Sequence, residues 1–208
     1  MTKLSRWTVA VALFALIPGC KKTADTTPNY KNAINAYYEA HPACLFTTEK
    51  RFPVQSSPDD AKTEGYDALV DAGLLTRTTS EKKIIIISKR ENNYDISDNG
   101  RSAWTADPNQ PGYGNFCYGH RVVSSIDGST PTSDQPGATT TVNYHYTMNG
   151  VPAWANAAET QTAFPRLKEN LAGVGTATLT NTTNGWQMTG TPGSSTNPAT
   201  PADGRIAQ

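Results

Sequence analysis

The segment TTTVNYHYTMNG, residues 139–150, limits the fold more than any other part of the chain. Val142, Tyr144, Tyr146 and Met148 alternate with Thr141, Asn143, His145 and Thr147. A period of two places the first set on one face of a strand and the second on the other. Four apolar or aromatic side chains on one face need a sheet and a covering layer to bury them, and polar partners keep the opposite face in water. Asn149-Gly150 then reads as a turn. Upstream, NFCYGHRVVSSI (115–126) also alternates, with Phe116, Tyr118 and Val122 assigned to one face. Downstream, TATLTN and GWQMTG read as a hairpin joined at 181–185. Between them, Phe164, Leu167 and Leu171 stand at i, i+3 and i+7, with Pro165 marking a kink or restart. Residues 105–188 are therefore expected to form a small antiparallel sheet with one crossing helix.

The first half has a different texture. Tyr30, Ile34, Tyr37 and Tyr38 are at helical spacing, and Pro42 ends the pattern. Ser57-Pro58-Asp59-Asp60 predicts a second helix start, with Ser57 as cap, Tyr66, Leu69 and Val70 inward, and Gly73 as the stop. LLTRTTSEKKIIIISKRENNYDIS predicts two strands turning at Arg90–Asn93, with Ile84–Ile87 in a strand covered on both faces. Ser97 caps a short helical turn in SDNGRSAW. This order resembles winged-helix domains over about 65–104. The fold class expected for the whole chain is α+β, with N-terminal helices and a winged-helix-like lobe (30–104) before the antiparallel lobe. Nucleic acid is not expected as a partner. The 59–72 helix carries Asp59, Asp60, Glu64, Asp67 and Asp71 against Lys62 alone, and an acidic helix repels phosphate.

The ends of the chain address its location. Lys3 and Arg6 precede the apolar run 7–17, which is too short to span a bilayer and reads as an export signal. LIPGC (16–20) resembles the lipobox of bacterial lipoproteins. The resemblance implies cleavage after residue 19 and acylation of Cys20, with 20–29 as a polar tether. Lys21, not Asp, follows the cysteine, and this implies the outer membrane, with the protein facing the periplasm. The body resembles proteobacterial envelope lipoproteins of unknown activity through VNYHY, PAWA, AFPRL and GW, and no reaction follows from that likeness. Without residues 1–19 the chain has 16 basic and 18 acidic residues, a net charge of −2. The tail 189–208 is rich in Thr, Ser, Pro and Gly and is expected to be disordered.

With Cys20 assigned to lipid, Cys44 and Cys117 remain as a pair in an oxidising compartment and are expected to form a disulfide. The alternative use of these thiols, a metal site with His41 or His120, lacks ligand spacing, and neither metal nor cofactor is expected. His120 and His145 lie on strands without a recognisable nucleophile motif. The loop WTADPNQPGYGNF (104–116) offers Trp104, Tyr113 and Phe116 as a possible ligand-stacking surface, or as a cover over the core. The function expected is a lipid-anchored periplasmic envelope protein, a non-enzymatic binding or docking module for an envelope protein or glycan. The alternative is a small periplasmic hydrolase acting on an envelope glycan.

Overall fold

A computed structural model of the chain describes residues 26–84, 87–190 and 192–194. The segment expected to be an export signal, Cys20, most of the expected tether and most of the C-terminal tail lie outside the described residues. Helix α1 (Thr27–Ala40) carries Pro28 in its first turn and buries Tyr30, Ile34 and Tyr38. Strands β1 (Lys50–Arg51) and β2 (Val54–Ser56) follow. Helix α2 (Ala61–Asp71) begins later than Ser57: Asp60 is the cap, its carboxylate accepting the Lys62 N–H at 2.9 Å. Ser57 instead offers its carbonyl to the Thr63 hydroxyl at 2.7 Å. Gly73, at φ 73°, ends the helix in the left-handed region that a side chain disfavours.

Strands β3 (Leu75–Ile84) and β4 (Ile87–Ile96) form a long hairpin. Its register pairs Ile84 with Ile87, so the chain reverses there and not at Arg90–Asn93. Those four polar residues lie within β4, where Arg90 pairs with Glu81 and the Thr79 hydroxyl donates to the Asn92 side chain at 2.9 Å. Polar cross-strand partners thus let a turn-like composition continue as strand. Ile84 thus ends β3 and Ile87 begins β4, while Ile85 and Ile86 lie outside the described residues. Helix α3 (Asp98–Ala103) is capped by Ser97, whose hydroxyl accepts the Gly100 N–H at 2.8 Å.

Strands β5 (Trp104–Ala106), β6 (Tyr113–Phe116), β7 (His120–Ser129) and β8 (Thr139–Asn149) come next. Three short helices, α4 (Ala153–Asn156), α5 (Ala158–Ala163) and α6 (Pro165–Glu169), precede β9 (Ala172–Thr182), β10 (Gly185–Met188) and β11 (Gly193–Ser194). Among the described residues all strand pairings are antiparallel, in three sheets: β1-β6-β5, β2-β4-β3 and β10-β9-β8-β7, with β11 also on β9.

The expected α+β architecture with a helical winged-helix lobe is not what forms. Among the described residues 42% are strand and 28% helix, so the molecule is mostly β. A winged-helix lobe needs its helices packed on one another. Here α1 leaves that region and packs on β7, β9 and β10, while α3 has only 6 residues. The helix expected to cross the sheet near 164–171 is also replaced. Pro165 restarts the chain as α6, and the helix lying on the large sheet is α1.

Two cores result. One joins Tyr30, Ile34 and Tyr38 of α1 to Val123, Val142, Tyr144, Tyr146, Ala177 and Leu179 of the large sheet. The other gathers Leu45, Phe46, Tyr66, Leu69, Tyr94, Phe116, Tyr118, Phe164 and Leu167. Gly119, at φ 127°, lies where the chain passes between them; a Cβ there would stand 2.3 Å from the Asn149 carbonyl oxygen. Around it the inward phase changes: Phe116 and Tyr118 are buried before it, Arg121 and Val123 after it. Val122, expected inward, is only half-buried.

Candidate functional site

A groove of about 680 Å³ lies between α2 and α5. It is lined by Asp59, Asp60, Glu64, Asp67, Asp71 and Glu159, with no basic side chain in its lining. Asp60, Glu64, Asp67 and Asp71 are spaced 4, 3 and 4 residues apart and so follow one face of α2. The opposite face supplies the core through Tyr66 and Leu69, which fixes the acidic stripe toward the groove.

Two of these acids already have structural work. Asp67 pairs with Arg77 at 2.7 Å and accepts the Tyr94 hydroxyl at 2.8 Å. The hydrogen bond and charge of Asp67 raise the Arg77 guanidinium above its ordinary value. Burial, followed by the bond to Asp67, raises the Tyr94 phenol. Asp60 caps α2. Asp59, Glu64, Asp71 and Glu159 are exposed along the groove.

A separate pocket of about 350 Å³ shares Ala68, Asp71 and Glu159 with the groove and is lined also by Ala72, Ala157 and Thr160. Thr160 is 0% exposed, and its hydroxyl has no hydrogen-bond partner. A buried hydroxyl in that state is under-satisfied relative to water.

The pair Cys44 and Cys117 forms a disulfide, with a sulfur–sulfur distance of 2.04 Å, closing a separation of 73 residues. The backbone aligns it. Cys44 and Cys117 face each other in an antiparallel bridge, flanked by Ala43 N–H to Gly119 O at 2.8 Å and Leu45 N–H to Phe116 O at 2.9 Å. Both cysteines line a second pocket of about 520 Å³, together with His41, Glu49 and Asp107.

The three aromatic residues of the 104–116 loop are held differently. Phe116 is fully buried and meets Trp104 edge-on, centroids 4.9 Å apart. Trp104 also packs on Phe52 at 5.5 Å, so both rings contribute to the core. Tyr113 is half-buried at the start of β6, opposite Arg51. The histidines are separate from one another in role. His120 meets Glu39 at 3.0 Å, His145 meets Asp127 at 3.1 Å, and His41 stacks on Tyr37 at 4.0 Å. Among the described residues no group of three His, Cys, Asp or Glu side chains is placed to hold a metal ion.

Sequence reasoning did not anticipate the surroundings of Arg121. This side chain is 3% exposed and lies over the Tyr146 ring at 4.5 Å and the Tyr38 ring at 5.4 Å. Burial opposes its charge, but the surrounding phenols outweigh burial and hold the guanidinium above its ordinary value. The Tyr38 and Tyr144 hydroxyls are 2.6 Å apart, and burial, then Tyr38, raises the Tyr144 phenol strongly. The cluster fastens α1 to the sheet.

No helix among the described residues is long and apolar enough to cross a membrane. The acidic face of α2 was legible in the sequence, whereas the contribution of α5 was not, because nothing in residues 158–163 signals which helix they meet. Comparison with known proteins finds no matching family model, no matching curated protein and no matching solved structure.

Proposed function

We propose that the chain is a lipid-anchored envelope protein, attached through Cys20 to the periplasmic face of the outer membrane, and that it works as a non-enzymatic docking module. The observation that carries the docking part is the acid-lined groove between α2 and α5, a concave surface on which Asp59, Glu64, Asp71 and Glu159 are exposed. The anchor rests on LIPGC and on the polar segment that follows it. An anchored module needs both a tether and an open face, and the chain offers these at separate places.

The reading is tested in solubilised envelopes with the full chain beside Glu64→Gln/Asp71→Asn/Glu159→Gln. A defined set of proteins should be retained by the native chain and lost with the variant. Identical retention by both would remove the groove from the account. Turnover of purified sacculi, abolished by changing one groove acid, would replace docking by hydrolysis.

A further inference from the structure

We infer that the far end of the β3–β4 hairpin docks on an anionic lipid bilayer, through Lys83, Lys89 and the register pair Ile84–Ile87. This goes beyond the docking reading of the groove and does not depend on acylation of Cys20. Strand β2 accompanies the hairpin only at its base, where Ser56 pairs with Asn92 and Asn92 with Thr79. Among the described residues the hairpin then continues as two strands alone, from the pair Ser80–Glu91 to the pair Ile84–Ile87. At about 3.4 Å per residue, the end stands about 17 Å beyond the three-stranded part. Ser80, Glu81, Lys83, Ser88, Lys89 and Arg90 are all exposed along it.

Charge and residue type at that end select the partner. Arg90 is matched by Glu81 at 3.7 Å, whereas Lys83 and Lys89 form no ion pair among the described residues. The register also sets Lys89 opposite Lys82, and like charges directly opposite weaken a strand pair. An anionic surface relieves that repulsion. Cations alone would suit any polyanion, but the last register pair, directly beyond Lys83 and Ser88, is Ile84 with Ile87. Cations behind an apolar apex match a bilayer, in which headgroup phosphates lie just outside the hydrocarbon. Nucleic acid phosphates offer nothing to the isoleucines. Lysines beside a β apex also act as gatekeepers against aggregation, a role that needs no lipid.

The test maps lysine reactivity in the full chain. The protein is mixed with vesicles of phosphatidylcholine, with or without phosphatidylglycerol, and briefly acetylated. The extent of modification at each lysine is read by mass spectrometry. Phosphatidylglycerol should lower acetylation of Lys83 and Lys89 by about threefold or more, and raised salt should restore it. Lys62 and Lys168, both exposed, serve as references and should not change. Phosphatidylcholine alone should protect neither Lys83 nor Lys89; an acyl chain on Cys20 enters both kinds of vesicle and so does not mimic the effect. Ile84→Ser/Ile87→Ser keeps every charge and should lose most of the protection at an unchanged melting temperature. A gatekeeper role alone gives no dependence on lipid and no change in reactivity with the serines.

Equal reactivity of Lys83 and Lys89 with and without phosphatidylglycerol overturns the inference, whatever the variant does. Full protection in the serine variant also overturns it, as does equal protection of the native chain by a short DNA duplex in place of vesicles. Either result would make the hairpin end a general polyanion contact.

Discussion

Gly173 and Gly175 illustrate how single residues set the packing of the larger sheet. A Cβ on Gly175 would lie 2.5 Å from the Tyr144 ring, and one on Gly173 would lie 2.9 Å from the Tyr146 hydroxyl. Both tyrosines lie across β9, and the missing side chains make room for them. Gly175→Ala should therefore destabilise the fold by about 1–3 kcal/mol, read as a lower denaturant midpoint; an unchanged midpoint would contradict the packing described. The same rings give the protein an alkaline limit. Tyr144, Tyr146, Tyr66 and Tyr94 are all raised above 10.0, with burial as the largest cause in each. Each binds its proton more tightly folded than unfolded. Their contribution is complete below the unfolded value and is lost as pH rises through the folded ones. Lys50, lowered from 10.5 by burial and then by Lys62, acts in the opposite sense as one partly exposed group. Melting temperature should hold to about pH 10 and then fall, and Tyr144→Phe should make the fall shallower. Equal slopes in the two proteins would count against it. The tyrosines of β8 were readable from alternation, but Arg121 was not: its inward position depends on the phase change at Gly119, which no local periodicity announces.

At the level of elements, patterns with a strict period were legible and reversals were not. Helix α1 follows its Tyr30, Ile34 and Tyr38 spacing, and β8 buries Val142, Tyr144 and Tyr146 as the alternation requires. Ser57 failed as a cap because Asp60 offered its carboxylate one turn later, beside the first free N–H groups. Asp60→Ala should cost about 1 kcal/mol, visible in the denaturant midpoint. The hairpin failed for a related reason. RENN has turn composition, yet its partners Thr78–Glu81 satisfy it as strand, and composition does not reveal a partner nine or more residues away. The disulfide joins two elements that sequence separates. It ties the segment after α1 to the link between β6 and β7, and chain-entropy reasoning values a loop of 73 residues at about 4 kcal/mol. Cys44→Ser/Cys117→Ser should lower stability by about that amount in chemical denaturation, and full stability in the double variant would show that the bridge constrains nothing.

In the whole molecule, each core draws on distant parts of the chain. Residues from α1 complete the large sheet, and Phe164 and Leu167 complete the core beside α2. This exchange explains why a reading that moved along the sequence expected a helical first lobe and why the molecule is mostly β. It also explains the groove, which exists only because α5 is brought against α2. The account joins an acylated Cys20 at one end to this acidic groove in the body. Its most direct test is the intact mass and membrane fractionation of the native protein beside Cys20→Ser. The account requires a lipid mass increment on Cys20 and recovery in the outer membrane, with the variant released from that fraction. An unacylated, soluble native product would contradict it.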